Sequence, residues 1–366
     1  MSKTTEMSTK YMPEIGDDQI HLLEKLCNAT AVSGDEHEVR KIVLEEVKPI
    51  ADDIRVDALG NVLARKLGKG EDRVRVMIAA HMDEIGFMIV KNHEGGLFEF
   101  VCVGGIDERQ LPGKSVLVGR DHLPGVIGAK PIHMTTKKER GEKIPLSSMR
   151  IDLGPEAGDK VKEGDRATFA TRFEVLGYSI RAKALDNRFG VATLIELLKH
   201  APENIDLLAA FTVQEEVGLR GARVAAYAFD PDMAIAVDST PAYDLPHWDD
   251  EDENVRYNTK LDGGPALYVM DSATIADRRL VKWLVETGEE SSIPYQFRQP
   301  GGGGTDAGVI HKTRSGIPSI SVSVPSRYAH TAAGIARRAD WENTLRLLHA
   351  ALGRVTPELL AGERRD

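Results

Sequence analysis

Residues 205–222 read IDLLAAFTVQEEVGLRGA, an apolar run that ends on two adjacent carboxylates, Glu215 and Glu216. The stretch IDLLAAFTV carries one charge in nine residues, which suits a strand buried on both faces rather than an alternating, half-exposed one. Such a strand needs helices on either side of its sheet, and GARVAAYAF, residues 221–229, follows with helical character. Ligands of open α/β sheets collect beyond the carboxyl ends of the strands, where the Glu pair lies. Neighbouring side chains on an extended chain point to opposite sides, so Glu215 and Glu216 are expected to do different things. A polar strand end is the bland alternative, and for two Glu residues alone it is the commoner one.

The same alternation extends in both directions. Upstream, RVRVMIAA (73–80) is a strand ending at His81, and LDNRFGVATLIELLKHA (185–201) is a helix closed by Pro202. Downstream, MAIAVD (233–238) is a strand ending on Asp238. The helix RRLVKWLVETG (278–288), the strand PSISVSV (318–324) and the helix DWENTLRLLHAALGRV (340–355) follow. Near the start, DDQIHLLEKLCNA (17–29) and SGDEHEVRKIVLEEV (33–47) read as helices. In the second, Ser33 and Glu36 have capping-box spacing, and Val39, Ile42, Val43 and Val47 share a face. DIRVDALGNVLARKL (53–67) reads as a hairpin turning near Gly60. The expected fold is α/β, a mostly parallel mixed sheet flanked by helices. The first 16 residues read as a loose tail, and HWDDEDEN (247–254) as a solvated loop.

From Phe87 to Arg172 the texture changes to short strand-like runs cut by Gly and Pro, with little helical periodicity. This pattern predicts a small all-β unit, sandwich or barrel. It is read as an inserted domain, 87–172, that divides a main domain of residues 1–86 and 173–366.

Composition narrows the function. With 47 basic and 57 acidic side chains the net charge is −10, which argues against nucleic acid and anionic membranes as partners. No apolar run approaches the roughly 20 residues of a membrane span. The opening MSKTTEMSTKYMPEIGDD lacks the apolar segment of a secretory signal, so a cytoplasmic location is expected. Cys27 and Cys102 have no metal-type spacing and read as free thiols.

Candidate chemistry gathers at the strand ends: His81 and Asp83, Glu215 and Glu216, Asp238, and His330 a short turn after SISVSVPSRYA, with Asp186 just before a helix. Singly, Asp186 could be an N-cap and His330 an ordinary loop histidine. Together they form a nitrogen–oxygen ligand set suited to zinc, cobalt or manganese. No H-E-x-x-H occurs, and the number of carboxylates favours two metal ions over one. Of two adjacent Glu residues, one can then ligate while the other moves the proton of an activated water. Asp83 is spaced to accept the second ring N–H of His81.

The segments AAHMDEIGFMI, KALDNRFG, TVQEEVGLRGA, AVDSTPAYD, GGGGTDAGVIH and PSRYAH, in this order, resemble the M42 family of metallo-aminopeptidases, and the resemblance runs from about Asp17 to Val355. It implies a two-metal exopeptidase fold that releases N-terminal residues from short peptides. One metal would be held by His81, Asp186 and Asp238, and the other by Asp186, Glu216 and His330. Glu215 would be the general base on a metal-bridging water, and Asp83 a supporting carboxylate. Zinc or cobalt would be the usual metal, with manganese possible. The inserted β unit would be a barrel-like dimerisation domain, with homo-oligomeric dimers assembling into a tetrahedral dodecamer. After PSRYAH the chain reads TAAGIARRAD, a departure from the family pattern, so substrate preference is not carried over.

Other readings are weighed against this one. A related two-metal carboxypeptidase or amide deacylase would use the same ligands on another bond. A glycosidase needs two carboxyls roughly 5 Å or more apart across a sugar bond, which adjacent Glu residues meet poorly. A phosphate-binding role for PGGGGTDAG (300–308) lacks the Lys that should follow; the glycines are read instead as allowing close backbone approach before a helix starting near Thr305. The remaining alternative is a scaffold that keeps the fold without turnover.

Overall fold

The computed structural model describes residues 12–245, 258–299 and 302–361. The run 247–254, expected as a solvated loop, and the first eleven residues of the expected 16-residue tail lie outside the described residues; the rest of that tail is not loose, since Ile15 is buried in the main core.

Within the strand Ile205–Thr212 the buried run divides by the two-residue period of extended chain. Leu207, Ala209 and Phe211 enter a core with the helix Leu185–Lys199. Leu208 and Ala210 enter another with Ala222, Ala225 and Phe229 of the helix Arg220–Phe229. Each fully buried Leu or Phe contributes about 1.5–3 kcal/mol, so the segment is committed to the middle of a covered sheet.

Among the described residues eleven strands join that sheet. Its principal order is Asp53–Val56, Val62–Lys66, Ile205–Thr212, Val74–His81, Met233–Pro241, Ser319–Arg327, Gly334–Arg337, Ser179–Ala182 and Glu174–Leu176. The expectation of a mostly parallel sheet holds only in its middle. Ile205–Thr212, Val74–His81, Met233–Pro241 and Ser319–Arg327 pair in parallel, while both flanks pair antiparallel. The reason is connection length: chain that turns back at once, as at Gly60 and Gly177, can only pair antiparallel, and parallel neighbours need long crossovers.

Register positions the site. Ile205 pairs with Val74 and, seven steps on, Thr212 pairs with His81. His81 and the segment carrying Glu215 and Glu216 therefore leave the sheet at one level. Asp238 pairs with Ser323 on the next strand over, near the end that leads to His330.

The chain between these strands closes a barrel of six: Gly86–His93, Leu97–Val103, Arg150–Asp152, Leu123–Gly128, Ser115–Val118 and Arg166–Phe169. It has its own core, in which the Phe87 ring meets Phe100 and Phe169 edge-on at centroid distances of 5.2 Å. Cys27 and Cys102 are free thiols. The helix expected from residue 33 begins at His37, without a side-chain cap. Ser33 donates its hydroxyl to Asp83 instead (2.6 Å).

Candidate metal centre

Glu215 and Glu216 do not lie on extended chain. After Val213 the backbone turns sharply, with Gln214 at φ +56°. The amides of Gly218 and Leu219 donate to the Glu215 carbonyl, and Gly221 donates back to Val213. Gly221 is required there, because a Cβ would lie 2.3 Å from Asn61 Oδ1 and 2.4 Å from the Val213 carbonyl. Both Glu side chains line one cavity of about 700 Å³, with His81, Asp186, Asp238 and His330. Their surroundings differ as expected: Glu215 feels the charges of His81, Asp238 and Asp306, whereas Glu216 faces His330 and Asp186.

The five expected ligands come together in two groups that share Asp186. In one, His81 Nε2 lies 3.2 Å from Asp186 Oδ1 and 3.4 Å from Asp238 Oδ1. In the other, His330 Nε2 lies 3.5 Å from both Asp186 Oδ2 and Glu216 Oε2. Asp186 thus turns one oxygen to each histidine. It does not act as an N-cap, and its own backbone is non-helical (φ −80°, ψ 106°). Within each group the ligand atoms lie within 4.8 Å of one another.

Both imidazoles are oriented from behind. His81 Nδ1 is 3.1 Å from the Asp83 carbonyl, with the Asp83 carboxylate farther away at 3.6 Å. The expected ring–carboxylate contact is thus largely replaced by a backbone one. His330 Nδ1 is 2.8 Å from the carbonyl of Gly105, just beyond a barrel strand, and Gln110 Nε2 donates to the His330 carbonyl (3.1 Å). An Nδ1–H donating to a carbonyl leaves the Nε2 lone pair aimed at the carboxylates, the tautomer that a metal ligand needs.

The Asp83 carboxylate has other partners. Fully buried, it accepts from the amides of Glu215 (3.0 Å) and Glu216 (3.2 Å) and from Ser33 Oγ. Beneath it, Glu84 pairs with Lys183 (2.9 Å) and Arg188 (3.2 Å) and accepts from Thr168 of the barrel (2.9 Å). Arg188 also donates to the carbonyls of Met82 and Asp83. This buried network ties the segment after His81 to both parts of the molecule.

The donor set fits divalent cations electrostatically as well as chemically. Burial, with Asp238, Asp306 and Glu216 adding, raises Glu215 well above the usual carboxylate range. Burial and the Asp186 charge push Glu216 up to about 8, and burial with Asp186 pushes Asp238 up to about 6. Burial alone would lower His81, but Glu215, Asp186, Asp238 and Asp83 hold it well above its ordinary value. His330 is likewise carried to about 10 against burial, by Asp186 and Glu216. Cations among these groups reverse both trends, keeping carboxylates ionised and imidazoles neutral.

Several residues escaped sequence reading. Asp306, inside the glycine-rich motif, accepts from Thr212 Oγ1 (2.5 Å) and keeps its other oxygen buried without a partner. Burial, with Asp238 and Asp83 adding, pushes its carboxyl up to about 7. The short helix there spans Ala307–Ile310. The contacts of Ser33, Gly105 and Gln110 have no local sequence signal. Tyr268 and Arg298 also line the cavity.

The chain is similar to known proteins over most of its length. The model of the M42 glutamyl aminopeptidase family matches residues 60–347. A putative aminopeptidase of Acetivibrio thermocellus is 39% identical over 341 residues, covering 92% of this chain and 99% of that protein. Among solved structures, a TET aminopeptidase from a marine-sediment Thaumarchaeota archaeon superposes with a TM-score of 0.88 at 33% identity, over 94% of this chain and 98% of that one. The Pyrococcus horikoshii TET1 peptidase, which can assemble into a tetrahedron or a large octahedral shell, superposes with a TM-score of 0.80 at 33% identity, over 92% of this chain and 100% of that one.

Proposed function

Because this chain belongs to the M42 glutamyl aminopeptidase family, a family of hydrolases acting on peptide bonds, we propose that it releases N-terminal residues from short peptides at a site for two divalent cations. The observation that carries the reading is the pair of ligand groups joined through Asp186, with Glu215 beside them in one cavity. His81, Asp186 and Asp238 would hold one ion, and Asp186, Glu216 and His330 the other. Three carboxylates against four positive charges leave room for one anionic oxygen. The nitrogen–oxygen donor set suits zinc or cobalt, and also manganese.

When bound, the ions supply Lewis-acid activation of water and of the scissile carbonyl. The side chains do the rest. Glu215, which lines the cavity beside both ligand groups, would take the proton of the attacking water and return it to the leaving amine. Asp83 fixes the turn bearing Glu215 and Glu216 through their amides. Residues 1–86 and 173–366 would form the catalytic domain and 87–172 an inserted dimerisation domain, with dimers assembling into a tetrahedral dodecamer of the kind seen in related TET peptidases. No helix among the described residues is long and apolar enough to cross a membrane.

Metal-stripped protein resupplied with zinc, cobalt or manganese should release N-terminal residues from a free peptide and spare its N-acetylated form. Glu215→Gln should keep metal binding and lose most turnover. Full activity in that variant removes Glu215 from its role, and release from the carboxyl end instead points to a carboxypeptidase.

A further inference from the structure

The barrel meets the rest of the chain along one rim, and register fixes which segments leave it. Gly86 pairs with Val103, Phe87 with Ala167, and Ala167 with Val118. The loop after Leu97–Val103 and the turn after Ser115–Val118 therefore project from the same end. In the closed order of six these strands stand three places apart, on opposite sides of the rim. The loop brings Gly105 and Gln110 to His330, and Ala332 packs against the barrel core. The turn brings His122, at φ +50°, to the helix His37–Val47, where its Nε2 lies 2.6 Å from Glu38 Oε1. Glu38 also accepts from the amide and the hydroxyl of Thr30, both at 2.9 Å. Burial works against its charge, yet Thr30 and His122 hold its pKa below the usual carboxylate range, so the ring N–H is the donor. The same seam holds Arg166, which donates to the Ser33 carbonyl (3.2 Å), and Arg120, 3.8 Å from Asp35.

The two histidines of the candidate centre differ in what holds them. His81 ends a central strand, is only 2% exposed, and leans on the Asp83 carbonyl of its own segment. His330 sits in a turn at φ +57° with 42% of its side chain exposed, and its backing comes from the barrel. A closed barrel with its own packed core transmits displacement as a unit. A tilt at the rim therefore shifts Gly105 against His330, and a metal ligand tolerates misplacement of only about 0.5 Å. The bond between Glu38 and His122 resists that tilt from the opposite side of the rim. We propose that Glu38 and His122 form a latch that positions His330 through the barrel. The ion held by Asp186, Glu216 and His330 then depends on the latch, and the ion held by His81, Asp186 and Asp238 does not. The inference rests on the two-ion reading above.

Zinc titration of metal-stripped protein against a chromophoric chelator reads the two equivalents separately. His122→Ala should bind one of them roughly tenfold more weakly than the wild type and the other within about twofold. His122→Gln, whose amide N–H can still donate to Glu38, should recover part of the loss. His93→Ala removes a similar histidine–carboxylate pair, with Glu99, from the far end of the same barrel and should leave both equivalents unchanged. Equal weakening of both equivalents in His122→Ala overturns the latch, as does weakening of neither, or the same selective loss in His93→Ala. Failure of the two-ion reading looks different: the wild type itself binds fewer than two equivalents. Amide hydrogen exchange of the metal-free proteins then carries the test. His122→Ala should speed exchange several-fold in residues 104–111 and 328–333, since loss of the latch lets the rim open locally, and unchanged exchange there refutes it.

Discussion

Replacing Asp83 with Asn probes the support of the candidate centre without touching a proposed metal ligand. Asp83 is fully buried and accepts from Glu215 N, Glu216 N and Ser33 Oγ. Burial works against its charge, but His81, Ser33 and the Glu215 amide hold its pKa below the usual range, so the group that Asn replaces is an anion at neutral pH. An amide offers one accepting oxygen and turns an NH2 group toward at least one of these donors. Each charge-assisted bond contributes about 1.5–3 kcal/mol against roughly 1 for a neutral one, and each stranded donor costs about 1–3 kcal/mol. The variant should therefore lose roughly 2–5 kcal/mol. Urea unfolding in the presence of a chelator, which keeps metal binding out of the comparison, reads this as a lower midpoint at unchanged slope. With metal restored, loosening of the turn under Glu215 and Glu216 should lower metal affinity or activity about 10- to 100-fold. A variant with the wild-type midpoint and wild-type turnover would show that the three contacts do not hold the turn.

Two further outcomes follow from the support of each histidine. Gln110→Ala removes the donor to the His330 carbonyl and should weaken one of two metal equivalents several-fold while sparing the other; equal weakening of both in chelator competition would contradict the assignment of His330 to a single ion. Glu84→Gln leaves the buried Lys183 and Arg188 without their carboxylate and should cost about 3–5 kcal/mol, read by calorimetry as a lower melting temperature, with Lys183→Met in the same chain restoring part of the loss. An unshifted melting temperature would mean that water or a rearranged partner takes the place of Glu84.

Much of this molecule was legible in local pattern. IDLLAAFTV announces a strand covered on both faces because apolar side chains at both odd and even positions need two cores, and Leu207 and Leu208 do enter different ones. The short runs between Phe87 and Arg172 announce an all-β unit for the same local reason, and the candidate ligands stand out by following strands. Local pattern misled where a residue had a local and a distant option. Ser33 had capping-box spacing with Glu36 yet serves Asp83, fifty residues away. Asp186 had N-cap placement yet turns its oxygens to His81 and His330.

Sequence alone therefore determined which segments become strands and helices and which side chains could bind metal, since periodicity and residue chemistry act over a few positions. Tertiary structure alone decided that His81 and Thr212 end level, that the flanks of the sheet run antiparallel, and that Gly105, 225 positions from His330, sets the direction of its ring. These are properties of contacts between distant parts of the chain, where geometry selects one partner among many of the same chemical type and no short stretch carries the record.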